Sequence, residues 1–321
     1  MGNSLAAGSA PTPLGRTHHP CLTWKIHDFS AMPMGQDWPI NCAPFVFSGY
    51  RWFLSLTPLH RTIPFLSVPY VALSLGIARG RGCLGLEPGV VMAVEYEFSI
   101  YNHSDHQYYG CKATHNFDVM HFYTKKECLI PLKKLLKSPD FLAEDCCVFG
   151  VDILKMDVIF PEEMAIVVEK SAAAVQNLFI QKLPYIKWTY GVTIGNFLEQ
   201  FTERFVTSKF ELDGQKWYFG IYPCGNRYSN NCLSLFLHLD GSDKAPNEYG
   251  KLVELTLSIL DEKQGKHFTR KTQGLVVFAD KCQWGWSEFI PLTTLFDPSR
   301  GYLVGSSCTL KAEIVVVGSY S

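Results

Sequence analysis

The sequence predicts an all-β protein: two tandem antiparallel β-sandwiches of about eight strands each, joined by a short linker. Three observations carry this. The stretch Phe210-Glu-Leu-Asp-Gly-Gln-Lys-Trp217-Tyr-Phe-Gly-Ile-Tyr-Pro223 has an earlier copy, Phe45-Val-Phe-Ser-Gly-Tyr-Arg-Trp52-Phe-Leu-Ser-Leu-Thr-Pro58, with Phe, Gly, Trp and Pro at equal spacings; a repeat at fixed spacing marks a repeated structural unit. Short segments that alternate apolar and polar residues recur at regular intervals between Gly, Pro and Asn turns, as in sandwiches. Helical periodicity is nearly absent outside one segment.

In each copy an aromatic opens a strand, Gly turns the chain, and Trp opens a second strand that closes at Pro. Trp217 is in phase with Phe219 and Ile221, which assigns it to the core. Ahead of the first copy lie Trp24-Lys-Ile-His-Asp-Phe29 and a Pro/Met-rich loop; after it come Val71–Ile77, Val94–Ile100, Ile130–Leu135 and Cys147–Ile153. The second half repeats the order with Val192–Phe197, Cys232–Leu239, Val253–Ile259, Ile290–Leu295 and Thr309–Val317. The expected divisions are an arm at 1–16, a first domain at 17–157, a linker at 158–184 and a second domain at 185–321. Within the linker, Met164, Val167, Val168, Val175, Leu178 and Phe179 fall at helical spacing and Pro161-Glu-Glu suits a helix start. Ala165-Ile-Val-Val-Glu is strand-like instead, so a helix and a β-rich linker both stay open.

Composition narrows the function. The chain has 321 residues, 47% of them hydrophobic, 18% charged, and a net charge of -1. That suits about two core-rich domains and offers no basic excess for nucleic acid. No apolar run reaches the ~18 residues of a membrane helix. The small, polar residues of Met1–Arg16 read as a disordered arm, and without a basic start or long apolar run they do not form a secretory signal. Met1-Gly2-Asn3-Ser4 invites N-myristoylation, but Ala6 stands where that pattern wants Ser or Thr. Eleven scattered cysteines, with no Cys-x-x-Cys, read as reduced thiols in the cytoplasm. Gly80-Arg-Gly-Cys-Leu-Gly85 has the letters of a dinucleotide fingerprint, but Leu86-Glu-Pro-Gly follows and opens no helix. His103, His106, His115 and His121 with Cys111 fit no metal-ligand spacing. No cysteine sits in a catalytic signature. The expectation is a non-enzyme without cofactor or metal.

Taken together, Trp-x-Ile-x-x-Phe, Phe-(x)3-Gly-x-x-Trp, Leu-Ser-Leu, Trp284-Gly-Trp-Ser-Glu-Phe-Ile290, Gly301-Tyr-Leu and Asp145-Cys-Cys-Val-Phe-Gly-Val resemble the MATH, or TRAF homology, domain. The ordered set occurs over most of the chain and looks like the tandem MATH-only arrangement common in plants. The resemblance implies an eight-stranded sandwich per repeat and a non-enzymatic adaptor that docks short extended peptides of partner proteins, often for ubiquitin ligases or signalling complexes. It implies a groove at Phe236, Leu255, Val276, Trp284 and Trp286, with Lys281 beside it; Cys282-Gln283 replaces a Lys-Asp pair that some members carry before Trp-Gly. Alternation independently turns Phe236 away from Leu233, Leu235 and Leu237. In the first repeat Gly76 stands in the aromatic's place and Thr124-Lys-Lys126 replaces Trp-Gly-Trp, which assigns binding to the second domain. Outward tryptophans on a sandwich also suit a carbohydrate site, and a purely structural oligomerisation module is the remaining alternative, though no sustained heptad supports a coiled coil.

Overall fold

The alternating segments form strands throughout the computed structural model, which describes residues 11–15, 18–33, 39–62, 68–78, 89–159, 173–199, 204–226, 229, 231–240, 250–279 and 282–321. The chain divides into two compact units, Met1–Lys182 and Leu183–Ser321.

In the first unit the strands are β1 (Thr12–Pro13), β2 (Leu22–His27), β3 (Ile40–Asn41), β4 (Phe45–Phe47), β5 (Tyr50–His60), β6 (Tyr70–Ile77), β7 (Val91–Asn102), β8 (Gln107–Phe117), β9 (Glu127–Pro131), β10 (Cys147–Ile159) and β11 (Ala174–Ile180), with the single turn α1 (Leu132–Leu135) after β9. One sheet runs β1-β8-β7-β10-β2-β11; the other runs β3-β5-β6-β9, with β4 also on β5. Val94, Tyr96, Phe98 and Ile100 of β7 are buried, as are Trp52, Leu54 and Leu56 of β5 and Leu73 and Leu75 of β6. Alternate residues face inward, although β5 and β6 are buried on both faces over most of their length.

The second unit holds β12 (Ile186–Ile194), β13 (Phe205–Val206), β14 (Phe210–Leu212), β15 (Gln215–Tyr222), β16 (Cys232–Asp240), β17 (Gly250–Ile259), β18 (Phe268–Lys271), β19 (Val276–Ala279), β20 (Gln283–Pro291), β21 (Leu303–Val304) and β22 (Ser307–Tyr320), with α2 (Leu292–Leu295) after β20. One sheet contains β12-β22-β17-β18, with β19 on β17 and β21 on β22; the facing sheet runs β13-β15-β16-β20, with β14 on β15. Its core includes Trp217, Phe219, Leu233, Leu235, Leu237, Leu255 and Ile314.

The repeated stretch is the same hairpin twice. Phe45 pairs with Trp52 and Phe210 with Trp217. Both indoles are buried, and each donates its N–H at 3.2 Å to a carbonyl across its turn, that of Phe47 or Leu212. The turn fixes that acceptor, so burying the indole leaves no unpaired donor. Gly49 and Gly214 hold φ of 79° and 67°, which a side chain disfavours.

The structure decides one open alternative and corrects one expectation. Val175, Leu178 and Phe179 are not helical: they lie on β11, which runs parallel to β2 with Leu178 beside Ile26. Gln176, Leu178 and Ile180 are buried while Val175 and Phe179 are exposed, a period of two. A row of free β2 backbone groups outweighs the local helical spacing, because a strand there satisfies donors and acceptors on both chains. The rest of that segment, residues 160–172, lies outside the described residues. The arm is also ordered in part. Thr12 pairs with Gly110 and Pro13 with Tyr109, and the Leu14 N–H donates to the Tyr108 carbonyl at 2.8 Å. Gly110 makes this approach feasible, since a Cβ there would stand 2.9 Å from Leu14 Cδ1. Residues 1–10 and Arg16 lie outside the described residues.

Candidate functional site

The edge strand β20 of the second unit begins at the Trp-Gly-Trp segment. It pairs with β16 on one side, and no other described strand pairs with it. Phe236 stands opposite Gly285, and Leu235 and Leu237 stand opposite Trp286 and Trp284. Directly opposed residues project to the same face. Trp284 and Trp286 therefore lie on the side of the buried leucines, at the open rim of the sandwich. Trp284 is 41% exposed; Trp286 is partly buried against the core, 5.9 Å from the Phe289 ring.

Phe236 lies on the other face, as its alternation predicts, and is half-buried. Tyr222 meets it edge-on with ring centres 6.0 Å apart, and the Arg204 guanidinium lies 5.5 Å over the Tyr222 ring, within cation–π range. His238 shares this face but is buried, stacked on Tyr218 at 4.6 Å. Its neighbour across the sheet at Gly220 has no room for a side chain, because a Cβ would stand 2.4 Å from His238 Nε2. Burial, helped by the charge of Arg204, lowers the His238 pKa to about 4, so this imidazole is neutral at physiological pH.

A bulge shapes the strand beyond the tryptophans. Leu233 pairs with Ile290 but Leu235 with Trp286, which leaves extra residues on β20 between the two pairs. The Ser234 hydroxyl donates to the Ser287 carbonyl inside this bulge, and Asn226 Nδ2 donates to Ser287 Oγ at 3.1 Å. Bulges re-aim edge residues and increase local twist.

The expected groove residues thus divide. Trp284 and Trp286 share the rim, and Phe236 is on the outer face. Leu255 is wholly buried and Val276 nearly so, at 6% exposure. These two support the rim from within and present no surface to a ligand. Lys281 lies outside the described residues. Tyr222 and Arg204 were not anticipated, although the alternation of Lys216, Tyr218 and Tyr222 along one strand carried the signal for Tyr222.

The first unit builds the corresponding edge differently. Trp52 pairs with Ile77 and Trp217 with Leu239. Counting from these, the residue equivalent to Phe236 is Ser74, not Gly76, and it pairs with Ser55. Gly76 corresponds to His238 and is covered by Phe53, whose Cζ would stand 2.4 Å from a Cβ there. At the place of Trp284 is Thr124. Its N–H donates to the Leu75 carbonyl, its Oγ1 accepts from the Leu75 N–H at 3.0 Å, and it is buried.

A profile of the MATH domain matches residues 21–153 and 189–314. The chain belongs to the MATH family. Each match covers one sandwich, so both units are MATH domains. The chain is 34% identical over 150 residues to ubiquitin C-terminal hydrolase 12 of Arabidopsis thaliana, covering 46% of this chain and 13% of that protein. It is 34% identical over 129 residues to a MATH domain and coiled-coil domain-containing protein of the same plant, covering 39% of this chain and 37% of that one. Over 111 residues it is 32% identical to Arabidopsis TNF receptor-associated factor homolog 1a, covering 34% of this chain and 10% of that protein. The chain therefore spans well under half the length of these relatives. MATH domains are protein-interaction modules, and among the described residues no helix is long and apolar enough to cross a membrane.

Proposed function

We propose that this protein is a non-enzymatic adaptor whose second MATH domain binds short extended peptides of partner proteins by strand addition at β20. The observation that carries the reading is an edge strand with one side unpaired among the described residues and an exposed Trp284 at its start. An added strand gains backbone hydrogen bonds along β20, while alternate side chains give specificity. One set of peptide side chains would meet the rim of Trp284 and Trp286. The other set would pass over Gly285 toward Phe236 and Tyr222. Arg204 adds positive charge to that face and favours an acidic residue in the second set. The first domain lacks the apolar rim, since Thr124 stands in place of Trp284, so it supports the molecule or uses another surface.

A link to ubiquitination belongs to this proposal. One relative carrying a similar segment is named a ubiquitin C-terminal hydrolase, and MATH domains of this kind would bring a bound protein to such machinery. The cytoplasm is the compartment in which the many thiols would remain reduced.

The test is a peptide-array screen with the full chain, followed by titration of the best sequence into the wild type and Trp284→Ala. Removing an exposed aromatic anchor is expected to cost about 2 kcal/mol of binding, near thirtyfold in Kd. Unchanged affinity in Trp284→Ala would move the site away from this edge.

A further inference from the structure

We propose that the outer face of the first domain carries a second ligand site, a basin that binds a phosphate monoester. It is separate from the β20 edge and independent of the peptide reading.

The floor follows from strand register. Tyr101 pairs with Tyr108 across β7 and β8, while Val148 of β10 pairs with Lys25 of β2; all four line one basin of about 880 Å³. The short Val148 side chain leaves space beside longer neighbours. Tyr101 and Tyr108 form an edge-to-face pair at 5.0 Å. Around this floor stand His18 and His19 from the N-terminal segment and His103 and His106 from the turn after β7. The N-terminal segment can lie close to the sheet because Gly150 has no side chain: a Cβ there would come within 2.9 Å of Pro20 Cγ.

The supply of nitrogen and hydroxyl donors, rather than a surplus of charge, suits an anion. Lys25 makes no ion pair with any described residue. Among the described lining residues Lys25 is the one lysine and Glu144 the one carboxylate, and five histidines, counting His27, add imidazole nitrogens rather than fixed charge. The imidazoles are not all committed. His27 is bonded to Asn177 at 3.2 Å and His106 faces the Tyr101 hydroxyl at 3.4 Å. His18 Nδ1 faces the buried Glu97 carboxylate at 3.6 Å, leaving its Nε2 buried with no partner; His103 Nε2 is likewise buried and unpartnered. A neutral imidazole has one donor and one acceptor nitrogen, so His18, its Nδ1–H turned to Glu97, keeps Nε2 as an acceptor. His103, with the proton on Nε2, instead offers a buried N–H whose unpaired cost a bound acceptor recovers. A phosphate monoester offers three acceptor oxygens, which the Lys25 ammonium, the tyrosine hydroxyls and the imidazole N–H groups of the basin can share, where a carboxylate offers two. The basin lies within the size range of small-ligand sites, roughly 300–1,000 Å³, and the tyrosine pair gives an aromatic ester a wall to lie against.

The experiment titrates the full chain with O-phospho-L-tyrosine, inorganic phosphate and L-tyrosine by calorimetry. It is repeated with Lys25→Gln, His103→Gln and Trp284→Ala, each checked for an unchanged melting temperature. Saturable binding of both phosphates but not L-tyrosine is expected, weakened about tenfold or more by Lys25→Gln and by His103→Gln and unaffected by Trp284→Ala. Phosphotyrosine binding about tenfold tighter than phosphate would identify a phosphorylated side chain as the source; equal affinity would identify a free phosphate ester or phosphate. If either variant misfolds, the other with the ³¹P line of the bound probe carries the test. No saturation by about 10 mM, equal binding of L-tyrosine, or full affinity in the folded variants would overturn the proposal.

Discussion

His238 shows what a single side chain reveals only in context. In sequence it is one polar residue on an outward-facing strand position. In the fold it is covered by Tyr218 and fills the space that Gly220 leaves. Its pKa is held near 4, below the ordinary 6.5, because burial disfavours the imidazolium. The consequence for stability has a definite sign. Above pH 6.5 the residue is neutral in both folded and unfolded chains and costs nothing. As pH falls from 6.5 toward 4, the unfolded chain takes up the proton first, so stability declines by up to ~3 kcal/mol. His238→Gln is expected to flatten this decline in the second domain. Parallel urea melts of wild type and variant at pH 7.5 and 4.5 would decide it, and an equal loss in both would remove His238 as the cause. Phe236 was legible in sequence because alternation sets its face, and the tryptophans were legible as sharing a face but not as lying on the side of the buried leucines. Leu255 and Val276 were not, because carrying positions over from a resemblance says nothing about burial, which depends on what lies across the sandwich.

At the scale of elements, β20 and β11 show opposite limits of sequence reading. The segment Trp284–Ile290 was recognisable as a motif, but neither its place at a sheet edge nor its bulge was. Edge status depends on which strands pair, and the bulge depends on Ser234 and Asn226, distant residues that hold Ser287. If peptides add to this edge as a strand, backbone methylation should matter at every second position. N-methylating peptide amides that face β20 is expected to abolish binding, while methylating the alternate amides leaves affinity within about twofold. Uniform effects at all positions would point to side-chain docking without strand pairing. For β11 the spacing of Val175, Leu178 and Phe179 fits either period over so short a span. Only the presence of β2 alongside makes the period of two prevail.

For the whole molecule, the decisive feature is duplication. Trp52 and Trp217 occupy the same place in the two domains, each buried and hydrogen-bonded across its hairpin. Replacing a buried Trp by Ala typically costs 3–5 kcal/mol, a large part of a domain's stability. Trp52→Ala is expected to raise amide hydrogen exchange within residues 18–180, and Trp217→Ala within 185–321. Spread of either effect equally through both domains would show that the two fold as one cooperative unit. Sequence by itself determined the all-β class, the duplication, the family and the faces of most strands. These follow from residue periodicity and fixed spacing, which are properties of the chain read locally. Tertiary structure decided the register between the halves, where Ser74 rather than Gly76 matches Phe236. A two-residue offset preserves every alternation and so leaves no trace in the pattern. It also decided which apolar residues stay open at an edge and which histidines gather with Lys25, because only pairing between distant strands brings those side chains together.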